Sequence, residues 1–223
     1  MLPILAHERV ILDHLATHNR LVLTAPTGSG KTTQANMLKK KLISLGRKVI
    51  LTREPGGVRG AEEIRDLLVQ GSTDRWSSVT ETLLFFAARR HHLEQRILPA
   101  LETGTIVVCD RFSDSTMVYQ GGEDPKTQEL IGNLSKLAIG LEPNITLIID
   151  VDPVKSLNRG LKRKSIENRF EMFGLEFQKK AKLKYQSLAK SVARCHLIDG
   201  NNTVEKTHQL VWKIVSKSLN LKD

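Results

Sequence analysis

Ala25-Pro26-Thr27-Gly28-Ser29-Gly30-Lys31-Thr32-Thr33 decides the reading of this chain. The stretch follows a short apolar run, Leu21-Val22-Leu23, and precedes a helix-period pattern from Gln34 to Leu45. Strand, glycine-rich turn and helix in that order turn a weak motif into a phosphate-binding loop. Backbone N–H groups at the helix start point at an anion there, and the helix dipole favours negative charge. In such a loop Lys31 reaches the outer phosphates and Thr32 holds Mg²⁺. Ala25 stands where the motif has its first glycine, which an alanine tolerates if its φ stays negative.

Further apolar, strand-like runs recur at 48–52, 105–109, 145–150 and 196–198, with longer helical patterns between them. Alternation of this kind predicts an α/β fold with a five-stranded parallel sheet and helices on both faces. Ligands then bind at the carboxyl ends of the strands. Charged motifs sit there: the glycine-rich loop after the first run, Arg53-Glu54-Pro55 after the second and Asp110-Arg111 after the third. The reading is one domain over 1–223, with no internal repeat or linker. Residues 1–19 carry a rough helical stripe (Leu5, Val10, Ile11, Leu12, Leu15), which predicts an extra helix on the sheet edge.

Each motif has a chemical and a structural reading. Gly56-Gly57 after Pro55 gives a tight turn that can aim Arg53 inward, with Pro55 a candidate cis bond, or leave Arg53 on the surface. Glu81 to Leu101 predicts one long helix on which Phe85 and Arg89 share a face. That pair can sandwich a base and fork onto an anion, although Phe85 is equally a core residue. His91 and His92 diverge by about 100° on a helix and are expected in solvent. Asp110 can orient the water shell of Mg²⁺ beside a phosphate-gripping Arg111, or cap and pair with it. Ser115, Thr116, Tyr119 and Gln120 can read a base edge or a sugar, or cap a helix. The polar run from Asn158 through Arg159 and Arg163 to Glu171 is expected between two helices, as a lid over phosphates or as a solvated charge run.

Composition narrows the classes. The net charge is +10, and residues 150–223 hold 16 Lys/Arg against 8 Asp/Glu, so most of the excess lies in the last third. A basic surface suits nucleic acid or anionic small molecules, and charge alone does not choose. The apolar runs are too short to span a bilayer, and His7-Glu8-Arg9 interrupts any leader-like start. Cys109 and Cys195 lie in apolar runs and are expected as buried free thiols, which fits a reducing cytoplasm.

Taken together, the pieces resemble the bacterial type of thymidylate kinase. Thr52-Arg-Glu-Pro-Gly-Gly57, Glu63-Ile-Arg-Asp-Leu-Leu68, Thr82-Leu-Leu-Phe85 with Ala87-Ala-Arg89, Cys109-Asp-Arg-Phe112, Asp114-Ser-Thr116, Tyr119-Gln-Gly121 and Asn168-Arg-Phe-Glu171 match in order. The resemblance implies a P-loop NTPase fold of the nucleoside monophosphate kinase type with a short lid at about 155–170. It implies transfer of the γ-phosphoryl group of ATP to dTMP with Mg²⁺, in a cytoplasmic homodimer that binds no specific nucleic acid. Residues 25–33 would bind ATP, with Lys31 catalytic and Thr32 and, through water, Asp110 serving the metal. Arg53 and Arg111 would hold the dTMP phosphate, Phe85 would stack on thymine and Arg89 would contact the base. Ser115, Thr116 and Gln120 would lie in the base-reading region, and Tyr119 would crowd a ribose 2′-OH. Arg159 and Arg163 would belong to the lid.

The chain departs from the family pattern at the loop. Thr27 stands where an acidic residue is usual, and Thr24–Gln34 also resembles the first motif of helicases. Two alternatives therefore stay open: a degenerate kinase fold that binds nucleotides without transfer, and a nucleic-acid-stimulated ATPase. No Asp-Glu-x-x box follows a later strand, which weighs against the ATPase. Transfer to a nucleotide phosphate needs no general base, so the arginines, worth about 10³–10⁵ in rate in phosphoryl transfer, decide whether a site exists.

Overall fold

The computed structural model describes residues 20–26, 28–162, 169–170 and 172–221. Five strands form one parallel sheet: β1 (Arg20–Thr24), β2 (Val49–Arg53), β3 (Ile106–Asp110), β4 (Ile145–Asp150) and β5 (Cys195–Asp199), in the order β2-β3-β1-β4-β5. A parallel sheet covered on both faces needs strands that are apolar on both sides, which is what the uninterrupted runs supply. The two-residue period then sorts the side chains. Leu21 and Leu23 face one core, with Leu38 and Leu42 of α1 (Lys31–Ser44). Val22, Val107 and Cys109 face the other, with Phe86, Ile97 and Ile131.

The helix from Lys31 starts at Gly30, whose φ of 87° reverses the chain out of the loop after β1. Ala25 keeps φ out of the positive region, as its place in the motif requires. Gly28 (φ 74°) lies so close to α7 (Pro153–Leu161) that a Cβ there would fall on the Ser156 carbonyl. Between these lie α2 (Arg59–Val69), α3 (Ser78–His92), α4 (Leu98–Glu102), α5 (Ser113–Tyr119) and α6 (Pro125–Leu134); α8 (Gly174–Ser191) and α9 (Val204–Ser218) follow α7.

Three expectations change. The helix expected over 81–101 begins at Ser78, where Ser77 accepts from the Thr80 N–H, and passes through a π-turn at Leu93–Ile97 before α4. Pro99 follows that turn; it lacks an N–H and its ring crowds the preceding turn, so the ladder widens and the Leu98 N–H reaches back to Leu93 O. His92, expected in solvent, is fully buried, because α3 presents it to the end of β2 rather than outward. Asn158 and Arg159, expected between helices, lie in α7, which Asp152 caps and Pro153 starts. Thr27, Arg163 and the stripe over 1–19 lie outside the described residues.

Among the described residues no helix is long and apolar enough to cross a membrane. Cys109 and Cys195 are both free and buried. Burial, together with the Asp114 charge, pushes the Cys195 thiol up to about 11, and burial raises Cys109 as well. The thiolate is the reactive form. Iodoacetamide at mildly alkaline pH should therefore modify neither thiol in the folded protein and both in denaturant, as mass spectrometry can read; rapid labelling of the native chain would contradict this burial.

Candidate active site

The carboxyl ends of β1, β2 and β3 open onto a cavity of about 520 Å³, within the usual range for a small-molecule site. Lys31, Thr32, Arg53, Phe85, Arg89, Asp110, Arg111, Ser115, Thr116, Tyr119 and Gln120 all line it. The remaining loop residues, Ala25, Pro26, Gly28, Ser29, Gly30 and Thr33, lie beside it around the start of α1, and Arg159 is exposed and does not line it. Six cationic side chains line the wall (Lys31, Arg53, Arg65, Arg89, Arg96, Arg111), against the carboxylates of Glu54 and Asp110. Such an excess of positive charge in a concave site attracts polyanions.

Four of these guanidinium groups are held by different devices. Arg89 is 2% exposed; its Nε donates to Glu54 Oε2 at 2.6 Å and its Nη2 to Thr116 Oγ1 at 2.9 Å. Its Nη1 is buried without a partner. Glu54 also meets His92 Nδ1 at 3.3 Å, and His92 Nε2 lies 2.7 Å from Thr52 Oγ1. Gly57 (φ 92°) permits this packing, since a Cβ there would strike both His92 and Thr52. The Glu54–Pro55 bond is cis. Arg65 Nη1 donates to Pro55 O at 2.7 Å. Arg53, half-exposed, pairs with Glu62 at 3.0 Å. Burial acts to raise the Glu62 carboxyl, but the Gly57 N–H and Arg53 outweigh it and hold it below its ordinary value.

Arg111 adopts φ 73°, a left-handed conformation uncommon for a side chain of its size. Strain of this kind gathers at functional sites. The guanidinium lies 4.8 Å from the Tyr119 ring centre. Burial would lower its pKa, but Tyr119, Tyr185 and Asp110 overcome that and raise it. Arg111 therefore stays charged. Phe85, Tyr119 and Phe170 form an aromatic wall, with Phe170 6.2 Å from Phe85 and 5.7 Å from Tyr119.

Helix α5 carries the polar part of the wall. Asp114 in its first turn takes Arg194 Nη1 and Nη2 at 2.7 and 2.8 Å, which pins it to the edge of β5. Ser115 Oγ sits 2.7 Å from Thr24 Oγ1 and accepts from Tyr185 OH at 3.1 Å, so its hydroxyl is engaged by the protein as well as facing the cavity.

Thr32 Oγ1 donates to Asp110 Oδ2 at 2.7 Å, while Asp110 Oδ1 is buried with no partner. Ser29 Oγ is likewise buried and unpartnered. A hydroxyl and an unsatisfied carboxylate oxygen at a phosphate loop suit Mg²⁺, which takes few protein ligands and completes its shell with water and phosphate. No cluster of three His, Cys, Asp or Glu side chains exists among the described residues.

Sequence reasoning gave no role to Glu54, Glu62, Arg65, Glu81, His92 or Tyr185, and Arg169, which falls in the run expected as a lid or a solvated charge run, is buried against the carbonyls of Leu68, Ser72 and Thr73. Glu54 and Arg65 fall inside stretches that carry the resemblance, so a signal was present. His92 could have been flagged by its three-residue spacing from Arg89, whereas Tyr185 carries no local signal.

A family model described as "Thymidylate kinase" matches residues 26–211. A thymidylate kinase of Jannaschia sp. is 50% identical over 193 residues, covering 86% of this chain and 93% of the relative. One from Ruegeria pomeroyi is 48% identical over 194 residues, covering 86% and 92%. A crystal structure of thymidylate kinase from Ehrlichia chaffeensis superposes with a TM-score of 0.69 at 34% identity, covering 89% of this chain and 98% of that one.

The two arginine pairs differ sharply in exposure, 2% and 2% for Arg89–Glu54 against 51% and 38% for Arg53–Glu62. Arg89→Met strands a buried carboxylate and should cost roughly 3–5 kcal/mol in urea unfolding. Arg53→Met should change stability by less than about 1 kcal/mol. Similar losses for the two variants would refute the assignment of burial.

Proposed function

The chain belongs to the thymidylate kinase family, and on that premise we propose that it transfers the γ-phosphoryl group of ATP to dTMP, releasing dTDP and ADP. The observation that carries the reading is the cavity that joins the phosphate loop, several guanidinium groups and an aromatic wall. A polyanion and a planar base fit opposite parts of it.

In this reading Lys31 and backbone N–H groups within residues 25–33, Pro26 excepted, hold the ATP phosphates. Arg53 and Arg111 grip the dTMP phosphate in line with the γ-phosphorus. An ionised dTMP oxygen bonds to that phosphorus while its bond to the bridging oxygen of ADP breaks, so no residue removes a proton. Alignment and charge neutralisation then account for the rate. Thr32 and, through water, Asp110 would hold Mg²⁺, which would supply positive charge to offset that of the phosphates.

Phe85 stacks on the base, Arg89 donates to it, and Thr116 and Gln120 flank its edge. Tyr119 occupies the space a ribose 2′-OH would need. Ser115 supports this wall through the Thr24 and Tyr185 hydroxyls. The chain acts as one kinase domain with a lid at about 155–170, to which Arg159 and Arg163 contribute. It works as a homodimer in the cytoplasm, a location that two free thiols support.

A coupled assay tests the reading. ADP release should require dTMP and Mg²⁺ and be insensitive to DNA. ATP binding without dTMP-dependent release would favour a degenerate kinase fold, and DNA-dependent release a nucleic-acid-stimulated ATPase. Lys31→Ala should lower kcat by about 10²–10³-fold or more; retained turnover would remove the loop from the chemistry. Removing the thymine methyl should matter less, with dUMP used within about 10–200-fold of dTMP.

A further inference from the structure

Beside the cavity runs a buried polar chain that the phosphate chemistry does not use. Arg169 is 1% exposed, and its guanidinium donates to Leu68 O at 3.1 Å, Ser72 O at 2.9 Å and Thr73 O at 3.0 Å. Its Nη1 also lies 2.6 Å from Glu81 Oε2. The second oxygen of that carboxylate, Oε1, accepts from Gln120 Nε2 at 2.7 Å. Ser78 Oγ meanwhile donates to the Gln120 backbone carbonyl at 2.8 Å. The first turn of α3 thus holds Gln120 by both main chain and side chain.

We infer that Glu81, held by Arg169, is the positioning residue that decides which end of the Gln120 carboxamide meets the base. A carboxylate beside a guanidinium accepts and does not donate, so only the NH₂ of Gln120 can face Glu81. The carboxamide oxygen is turned the other way, and Gln120 lines the cavity. Arg89 lines the same cavity, and its Nη1 is a buried donor without a partner. The wall therefore offers one donor and one acceptor. A pyrimidine with a 4-oxo group and an N3–H matches that pair. Cytosine, with a 4-amino group and a bare N3, opposes both. The inference rests on the kinase reading above and adds the origin of its base choice.

Glu81→Gln reverses the device. Arg169 has only donors, so the single acceptor of the introduced carboxamide turns to it and the introduced NH₂ faces Gln120. The Gln120 oxygen then swings toward position 81 and its own NH₂ enters the cavity. The ratio of kcat/KM for dTMP to that for dCMP should fall about tenfold or more, the scale of exchanging one buried polar contact for a mismatch, with KM for ATP unchanged. In a Gln120→Leu background the same substitution should leave the ratio where Gln120→Leu alone puts it, because the effect passes through Gln120. An unchanged ratio in folded Glu81→Gln, or a full effect without Gln120, overturns the inference while leaving the kinase reading intact. Wild-type enzyme supplies a check that needs no variant. The 3-deaza analogue of dTMP, a 4-hydroxy-2-pyridone that presents C–H at position 3 and O–H at position 4, loses both matching groups and should fall about tenfold or more in kcat/KM, and equal use of both nucleotides overturns the inference. Wild-type enzyme inert toward dTMP overturns the kinase reading and this inference together.

Discussion

One buried ion pair organises the cavity. Glu54 leaves the end of β2 and meets Arg89 of α3 at 2.6 Å, with both side chains 2% exposed. Neither charge is tolerable in that position without the other. The pair fixes the distance between sheet and helix, and His92, Thr52 and Thr116 satisfy the remaining polar atoms around it. One guanidinium nitrogen remains unsatisfied, and it belongs to a residue of the cavity wall. A buried polar network complete but for one donor at a pocket is the form expected of a binding site.

The same constraint recurs around the wall with different partners. Positive charges crowded into one concavity repel one another, and each needs a local anchor to keep its direction. Arg53 has Glu62, Arg65 has the Pro55 carbonyl, and Arg111 has the Tyr119 ring. Half-exposed Arg53 is free to reorient when an anion arrives, at little cost to stability. Buried Arg89 is not. Burial alone thus makes one guanidinium of the wall rigid and leaves another adjustable.

Much of this was legible in the sequence, for definite reasons. The strands were visible because a sheet buried on both faces demands unbroken apolar runs, and the ends shifted by only a residue or so because apolar character fades gradually. Strand-end motifs were visible because a parallel sheet collects its functional groups at one edge. The buried anchors were not. His92 looks like a solvated residue beside His91 until α3 is docked on β2, and Glu81 looks like an ordinary acidic residue in a helix's first turn. Arg169 is separated from its carbonyl partners, Leu68, Ser72 and Thr73, by about a hundred residues of chain. Contacts of that kind leave no periodicity behind. The end of α7 was misplaced because its polar residues resemble a loop, although Asp152 and Pro153 form a strong helix start.

Strand order carries a consequence for synthesis of the protein. β1 pairs with β3 at Val107 and with β4 at Ile145, so its two neighbours follow it by most of a hundred residues and more. The glycine-rich segment leaves the ribosome before β3 and β4 and gains both neighbours of β1 only when β4 has emerged. During that interval an apolar strand and a basic, unpaired loop are exposed together, a state prone to mispairing. A nascent chain that ends before β4 leaves β1 without one of its two partners. The cavity lining is complete only once Gly160 and Phe170, which follow β4, have emerged as well.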